Sequence, residues 1–284
     1  MSIQIITDSS SDLVNPQRAD ITVLPMKINF DDAEYLDGVN LTHKEFYEKL
    51  IECDTLPVTS QISPYEFEQA IRKVTDAGDI AIIITLSGKL SGTYQSACIA
   101  AKEFEGKAFV VDSENATVGE RALVEYALRL KDAGMDAESI VDTLETDKKK
   151  IRLIALLDTL EYLKKGGRIS KAVAFAGNVL SIKPVVGVVD GEVVMLGKAR
   201  GSKQGNNLLA EHIKSSGGID FGKPYFLGYT GLNDALMQKY ISDSETFWKD
   251  HTDNLPVATV GGTIGTHVGP GGIAVAYFAL SESC

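Results

Sequence analysis

The 284-residue sequence contains no apolar run near the roughly 20 residues that a membrane-spanning helix needs. Its first residues, MSIQIITDSSSD, lack both a basic leader and a long apolar stretch, so they read as a first strand rather than a signal peptide. A cytoplasmic setting is expected. Basic residues are scarce: 28 Lys and Arg stand against 39 Asp and Glu, for a net charge of -11. That balance argues against a nucleic-acid binder, which needs a basic face, and allows at most transient contact with an anionic membrane. Cysteine is scarcer still. Cys53, Cys98 and Cys284 are odd in number and widely spaced, which excludes a disulfide framework and a zinc pattern. Cys98, in the apolar run 97–101, reads as a buried thiol.

What is present is ordinary globular composition, 44% hydrophobic and 24% charged. Apolar runs at 3–7 and 80–86 and at 108–112 read as buried strands. The run 21–30 is interrupted by Pro25, which suits an edge strand or a bend. Thr42 with Glu45, and Ser63-Pro64 with Glu66, spell helix starts. Further helices are predicted from about 93 to 103 and over 118–133. Strand, loop and helix alternating in this way predict an open parallel sheet flanked by helices over residues 1–150. Beyond Lys148-Lys149-Lys150 the pattern changes. Asp190-Gly191 between the runs 185–189 and 192–196 is a hairpin signature. Strands are predicted near 224–229, 257–260 and 273–280, with helices over 202–215 and 234–250. The expected fold is therefore α/β in two domains, the second, 151–284, being an α/β domain with a mixed or antiparallel sheet.

Polar clusters fall at predicted strand ends: Asp8–Ser11, Thr59-Ser60-Gln61, Ser87–Thr93 and Ser113. Hydroxyls and helix-start N–H groups suit a carboxylate or phosphate. Each cluster also reads as simple helix capping, except Thr59-Ser60-Gln61, which precedes the Ser63 cap. The loop Ser87–Thr93 is not a phosphate loop, because Leu90 separates Gly88-Lys89 from Ser91. The segment 261–272 is the densest in glycine, suited to strained backbone or close ligand approach, and it contains His267. His43, His212 and His251 lie in polar, helix-like contexts and are expected to be solvated. No acidic residue flanks His267 at metal-ligand spacing, so no metal site is expected. Lys164, Lys165, Arg168, Lys171, Lys198 and Arg200 form a basic exception on an acidic chain.

The order of motifs resembles that of the DegV family, the bacterial fatty-acid-binding proteins also called FakB, over essentially the whole chain. The matching segments are Ile5-Thr7-Asp8-Ser9, Thr59-Ser60-Gln61, Leu90–Ser96, Val111-Asp112-Ser113, Asp158–Leu163, Gly166–Ile169, Ile182-Lys183-Pro184 and His267–Gly271. Ile62 departs from the proline common after Thr-Ser-Gln in that family. The resemblance implies one long-chain fatty acid buried between two domains and no other cofactor. Its carboxylate would be held by Thr59, Ser91 and His267, with Ser60, Gln61, Gly92 and Thr93 on the rim. It further implies a lipid carrier without turnover of its own, presenting the acid to a separate FakA-like fatty acid kinase for phospholipid synthesis. Arg168 and Arg200 would be the docking residues. Two other readings stay open: a serine hydrolase or esterase using Ser91 and His267, which lacks the Gly-x-Ser-x-Gly elbow, and a phosphotransferase, which lacks a nucleotide loop.

Overall fold

The computed structural model describes residues 1–14, 16–169, 182–252 and 254–281. Lys171 and Cys284, named above, lie outside these ranges. The chain begins with β1 (Ile3–Asp8) and β2 (Ile21–Leu24). Pro25 then ends β2, and β3 (Lys27–Phe30) departs into a second sheet with β4 (Ala33–Leu36). The single bent strand expected over 21–30 is thus two strands in two sheets. Next come α1 (His43–Glu52), β5 (Val58–Ser60), α2 (Pro64–Asp76), β6 (Ile80–Thr85), α3 (Thr93–Ala101) and β7 (Ala108–Asp112). The capping boxes at Thr42/Glu45 and Ser63/Glu66 start α1 and α2 as predicted. Two further helices follow, α4 (Thr117–Asp132) and α5 (Ala137–Asp147).

β2, β1, β6 and β7 form a four-stranded, all-parallel sheet in that order. Strand alternation decides its packing. Ile82 and Ile84 of β6 face α4, while Ala81 and Ile83 face the opposite core with α2 and α3. β7 was expected to be a buried strand; it is the edge of the sheet and is mostly half-buried. β4, β3 and β5 form a small antiparallel sheet covered by α1.

The remaining elements are β8 (Ile151–Leu156), α6 (Glu161–Lys165), β9 (Ile182–Val189), β10 (Glu192–Arg200), α7 (Gly201–Ser215) and β11 (Phe226–Tyr229), then α8 (Ala235–Asp243), α9 (Glu245–Trp248), β12 (Val257–Thr259), α10 (Gly262–Val268) and β13 (Ile273–Phe278). Six of these are strands in the order β10-β9-β8-β13-β11-β12, antiparallel except for the β11–β12 pair. The β9–β10 hairpin turns on Asp190 and Gly191 at φ 48° and 81°, the paired left-handed geometry that makes Asp-Gly a hairpin signature. The helix expected over 234–250 breaks at Ser244, whose hydroxyl donates back to the Tyr240 carbonyl. α4 packs on β13, β11 and β8 as well as on β1 and β6, so it lies between the two large sheets. Leu153 joins this shared core, and its neighbour Ile154 faces the outer core with α7 and α8. Five layers result: α2 and α3, the parallel sheet, α4 and α5, the mixed sheet, then α7 and α8. No helix among the described residues is long and apolar enough to cross a membrane.

Candidate functional site

In the parallel sheet the chain runs outward from β1 to β2 in one direction and from β6 to β7 in the other. The loops after β1 and β6 therefore flank the switch point, where open α/β sheets receive ligands. The loop after β6 is tightened by the Leu90 and Ser91 N–H groups, which both donate to the Ser87 carbonyl. Ser91 Oγ accepts the Thr93 N–H at 3.2 Å and lies 2.9 Å from Thr93 Oγ1. When Thr93 donates its hydroxyl as well, the acceptor side of Ser91 is filled and its own O–H is free to donate.

Across from this loop, Thr59 on β5 places Oγ1 3.0 Å from Nε2 of His267. The imidazole Nδ1 is buried and has no hydrogen-bond partner. Burial, and then the nearby Arg168 guanidinium, push the His267 pKa down to about 4. The ring is neutral at pH 7 and carries one N–H. The tautomer that places it on Nε2 donates to Thr59 and leaves only a bare Nδ1 lone pair unpaired, a milder cost than a stranded N–H. Thr59, like Ser91, then has its hydroxyl hydrogen available.

These groups border a cavity of about 250 Å³. Its walls are mostly apolar and come from the mixed sheet, from α10 and from the loop after β6: Leu153, Val186, Val193, Ile264 and Leu86 are among them. Thr59, Gln61, Ser91, Gly92, His267 and Arg168 line it together. Ser60 and Thr93 do not: Ser60 follows Thr59 on a strand and points the other way, and Thr93 is turned inward on Ser91. Gln61 reaches the rim by lying across Gly92, where a Cβ would meet Oε1 at 2.0 Å, and its amide donates to Ser96 Oγ. Arg200 is exposed at the start of α7 and is not part of the cavity. Arg168, expected only as a docking residue, also sits at the cavity, its guanidinium donating to the Leu90 and Gly166 carbonyls.

Several expectations are corrected. Asp8–Ser11 is wholly buried and does not line this cavity; its groups bond one another, Glu120 and Asp37. Ser87 and Ser113 are buried and donate to the carbonyls of Gly191 and Asn115. Thr59 stands on an antiparallel strand, not at the end of a parallel one. The glycine-rich segment around His267 is helical over α10, where Gly262 and Gly265 serve packing, since a Cβ would meet Ile28 and Phe46, each at 2.5 Å; Gly269 and Gly271, at φ 72° and 79°, do adopt the strained backbone expected of the segment. His43 is half-buried against Asp37 and the Thr259 backbone, whereas His251 is exposed, as expected, and stacks on Phe221 with ring centroids 3.9 Å apart. Cys98 is only partly buried and faces Tyr94. The geometry also disfavours a Ser91–His267 hydrolase. The imidazole bonds Thr59, its Nδ1 meets no carboxylate, and a pKa near 4 makes a poor general base.

Residues 2–280 match the family model described as "Uncharacterised protein, DegV family". The chain belongs to the DegV family. A DegV domain-containing protein of Deinococcus radiodurans is 36% identical over 289 residues, covering 99% of this chain and 100% of the relative. One from Caldanaerobacter subterraneus is 34% identical over 273 residues, covering 94% and 95%. Among solved structures, a Thermus thermophilus DegV family protein described by its fatty acid binding superposes with a TM-score of 0.88 at 32% identity, covering 99% of this chain and 100% of that one. DegV of Bacillus subtilis, described as a fatty acid binding protein, superposes with a TM-score of 0.83 at 26% identity, covering 98% and 99%. The two-sheet α/β architecture is thus that of solved DegV family proteins.

Proposed function

We propose that this protein binds one long-chain fatty acid in the cavity between its sheets, with the carboxylate on Thr59, Ser91 and His267. The observation that carries this reading is an apolar cavity that meets, at one place on its wall, the Thr59 and Ser91 hydroxyls, each within hydrogen-bond distance of a neighbouring group able to donate to it. His267 Nε2–H orients Thr59, Thr93 orients Ser91, and each hydroxyl then donates to the anion. Arg168 supplies the nearest positive charge without bonding the imidazole. An unpaired buried carboxylate would be costly, so these donors are what make the apolar site usable. About fourteen methylenes at about 0.8 kcal/mol each give roughly 11 kcal/mol of gross burial, reduced by ordering costs.

The reading has a carrier consequence. On this reading the protein holds the acid for chemistry done elsewhere. A cytoplasmic FakA-like fatty acid kinase, making an acyl phosphate for phospholipid synthesis, would be that partner. Arg168 at the cavity and exposed Arg200 would meet it. Residues 1–150 would carry the hydroxyl side of the site and 151–284 most of the acyl wall.

Denaturing mass spectrometry of the purified protein should release a fatty acid at near one equivalent. Thr59→Ala with Ser91→Ala should weaken oleate binding by about tenfold to a hundredfold per hydroxyl, since bonds to a charged group are worth about 1.5–3 kcal/mol. Protein that is isolated empty and takes up neither oleate nor palmitate would sink the reading.

A further inference from the structure

Among the described residues, besides the ion-paired Asp147, four carboxyl side chains are buried away from the cavity: Asp8, Asp12, Asp37 and Glu120. Two of them hold the beginning of α10. Asp12 Oδ1 accepts the Gly261 N–H at 2.7 Å. Asp37 accepts the N–H groups of Gly262 and Thr263, each at 3.0 Å, and the Thr263 hydroxyl at 2.5 Å. Three consecutive backbone donors at a helix start are therefore satisfied by two carboxylates from distant parts of the chain. One follows β1 and the other lies between β4 and α1. Negative charge there also suits the helix dipole.

A seven-residue helix has little stability of its own, so its placement depends on what grips it. α10 needs to be placed accurately. Thr263, Ile264, His267 and Val268 all line the cavity, and their spacing puts them on one helical face. The grips are themselves fixed. Asp37 receives the Ser9 hydroxyl at 3.2 Å, and its N–H donates to the Met26 carbonyl. Asp12 receives the hydroxyl of Thr117, which also lines the cavity. Asp12 and Thr117 have φ of 58° and 49°, and a β-branched residue is rarely held there without a local reason.

We propose that Asp12 and Asp37 are positioning residues for the carboxylate site: they clamp α10 by its first amides, and α10 in turn holds His267 against Thr59. The lever is short. Gly262 and His267 are separated by about 8 Å of helix, so a tilt of about 10° moves the ring by roughly 1.4 Å. That takes the 3.0 Å Thr59–His267 contact out of hydrogen-bond range. The proposal depends on the fatty-acid reading only for its affinity measurement.

The test uses the full chain, stripped of lipid, as Asp12→Ala, Asp37→Ala and the conservative Asp12→Asn and Asp37→Asn. Oleate affinity is measured alongside the ¹⁵N resonances of the His267 ring in ligand-free protein. Each alanine variant should lose about tenfold in affinity, equivalent to about 1.4 kcal/mol, and should move the ring resonances. Asparagine keeps an oxygen acceptor and should restore most of both. Alanine variants that melt cooperatively, keep the ring resonances and bind oleate within about twofold overturn the proposal. Should the alanine variants fail to fold, Ser9→Ala decides the matter. It removes a donor from Asp37 outside the cavity, and unmoved His267 resonances would overturn the clamp. Thr59→Ala separates the two readings. Undiminished oleate binding in that variant removes the carboxylate site, and the ring resonances still judge the clamp.

Discussion

At Gly166 the missing Cβ is the space that His267 occupies: a Cβ there would sit 2.2 Å from Nδ1. The backbone φ is -73°, so alanine fits the chain; its main conflict is with the imidazole, and a milder one is with the Tyr162 carbonyl at 3.2 Å. The neighbouring Gly167 is the reverse case, with φ 68° and open space around its Cβ. Gly166→Ala should therefore cost oleate affinity, by about tenfold if one hydrogen bond is lost, with little change in the melting midpoint. Gly167→Ala should lose about 1 kcal/mol of stability and keep its affinity. Isothermal titration and urea melts on the two variants separate these outcomes; equal affinity loss in both would mean that the contact with His267 is immaterial. Ser91 and His267 could be singled out from sequence as polar groups near glycine, and Thr59 as a hydroxyl that the Ser63 cap does not need. Their mutual distances could not, because β5, the β6 loop and α10 are brought together only by tertiary packing. The role of Gly166 was hidden for the same reason: the atom it avoids lies about a hundred residues downstream.

Among the elements, legibility followed how local the determinant is. The capping boxes of α1 and α2 and the Asp190-Gly191 turn depend on residues within a few positions, and all three form as the sequence predicts. α10 depends on partners elsewhere. Its two glycines suggested strained backbone, whereas the structure uses them to bring the helix onto Phe46, Tyr47 and Ile28. This gives two opposing effects for Gly265→Ala. Helix propensity favours alanine by about 1 kcal/mol. Overpacking costs about 1–3 kcal/mol, because a Cβ would meet Phe46 at 2.5 Å and the Tyr47 hydroxyl at 2.8 Å. Both neighbours are fully buried, and the Tyr47 hydroxyl donates to the Val260 carbonyl, so neither can yield easily. Overpacking should win: the variant should unfold at lower urea despite its better helix former. A higher midpoint would show that α10 is loosely seated, which would also weaken the case that it fixes His267.

For the molecule as a whole, alternating strands and helices made two α/β regions readable, but not that α4 serves both sheets or that four carboxyls are enclosed beside it. Those carboxyls have a measurable consequence. Ser10 Oγ lies 2.5 Å from Asp8 Oδ1 and 2.7 Å from Glu120 Oε2, and a hydroxyl has one hydrogen. Two carboxylates cannot both be served, so one carboxyl keeps its proton. Glu120 is the better candidate, since Asp8 also receives the N–H groups of Ser10 and Leu86. Burial raises the pKa of Asp8 and Glu120, and that of Asp12 to about 7. A folded carboxyl that binds its proton more tightly than the unfolded one contributes stability that is present at low pH and lost as pH rises through the folded value. His267 and His43 act in the opposite direction, because burial lowers their values, and their effect fades out within about a pH unit above the ordinary histidine value near 6.5. Asp132 on the surface and the buried Asp147, whose ion-pair and hydrogen-bond partners hold them below the usual range, matter only in acid below about pH 4. Between pH 6.5 and 8 the three raised carboxyls outweigh this fading histidine effect, and stability should fall as pH rises. The melting temperature should be lower at pH 8 than at pH 6.5, and Asp12→Asn, which cannot ionise, should flatten that difference. A melting temperature that rises over this interval, or an unchanged slope in Asp12→Asn, would show that Asp12 does not titrate there.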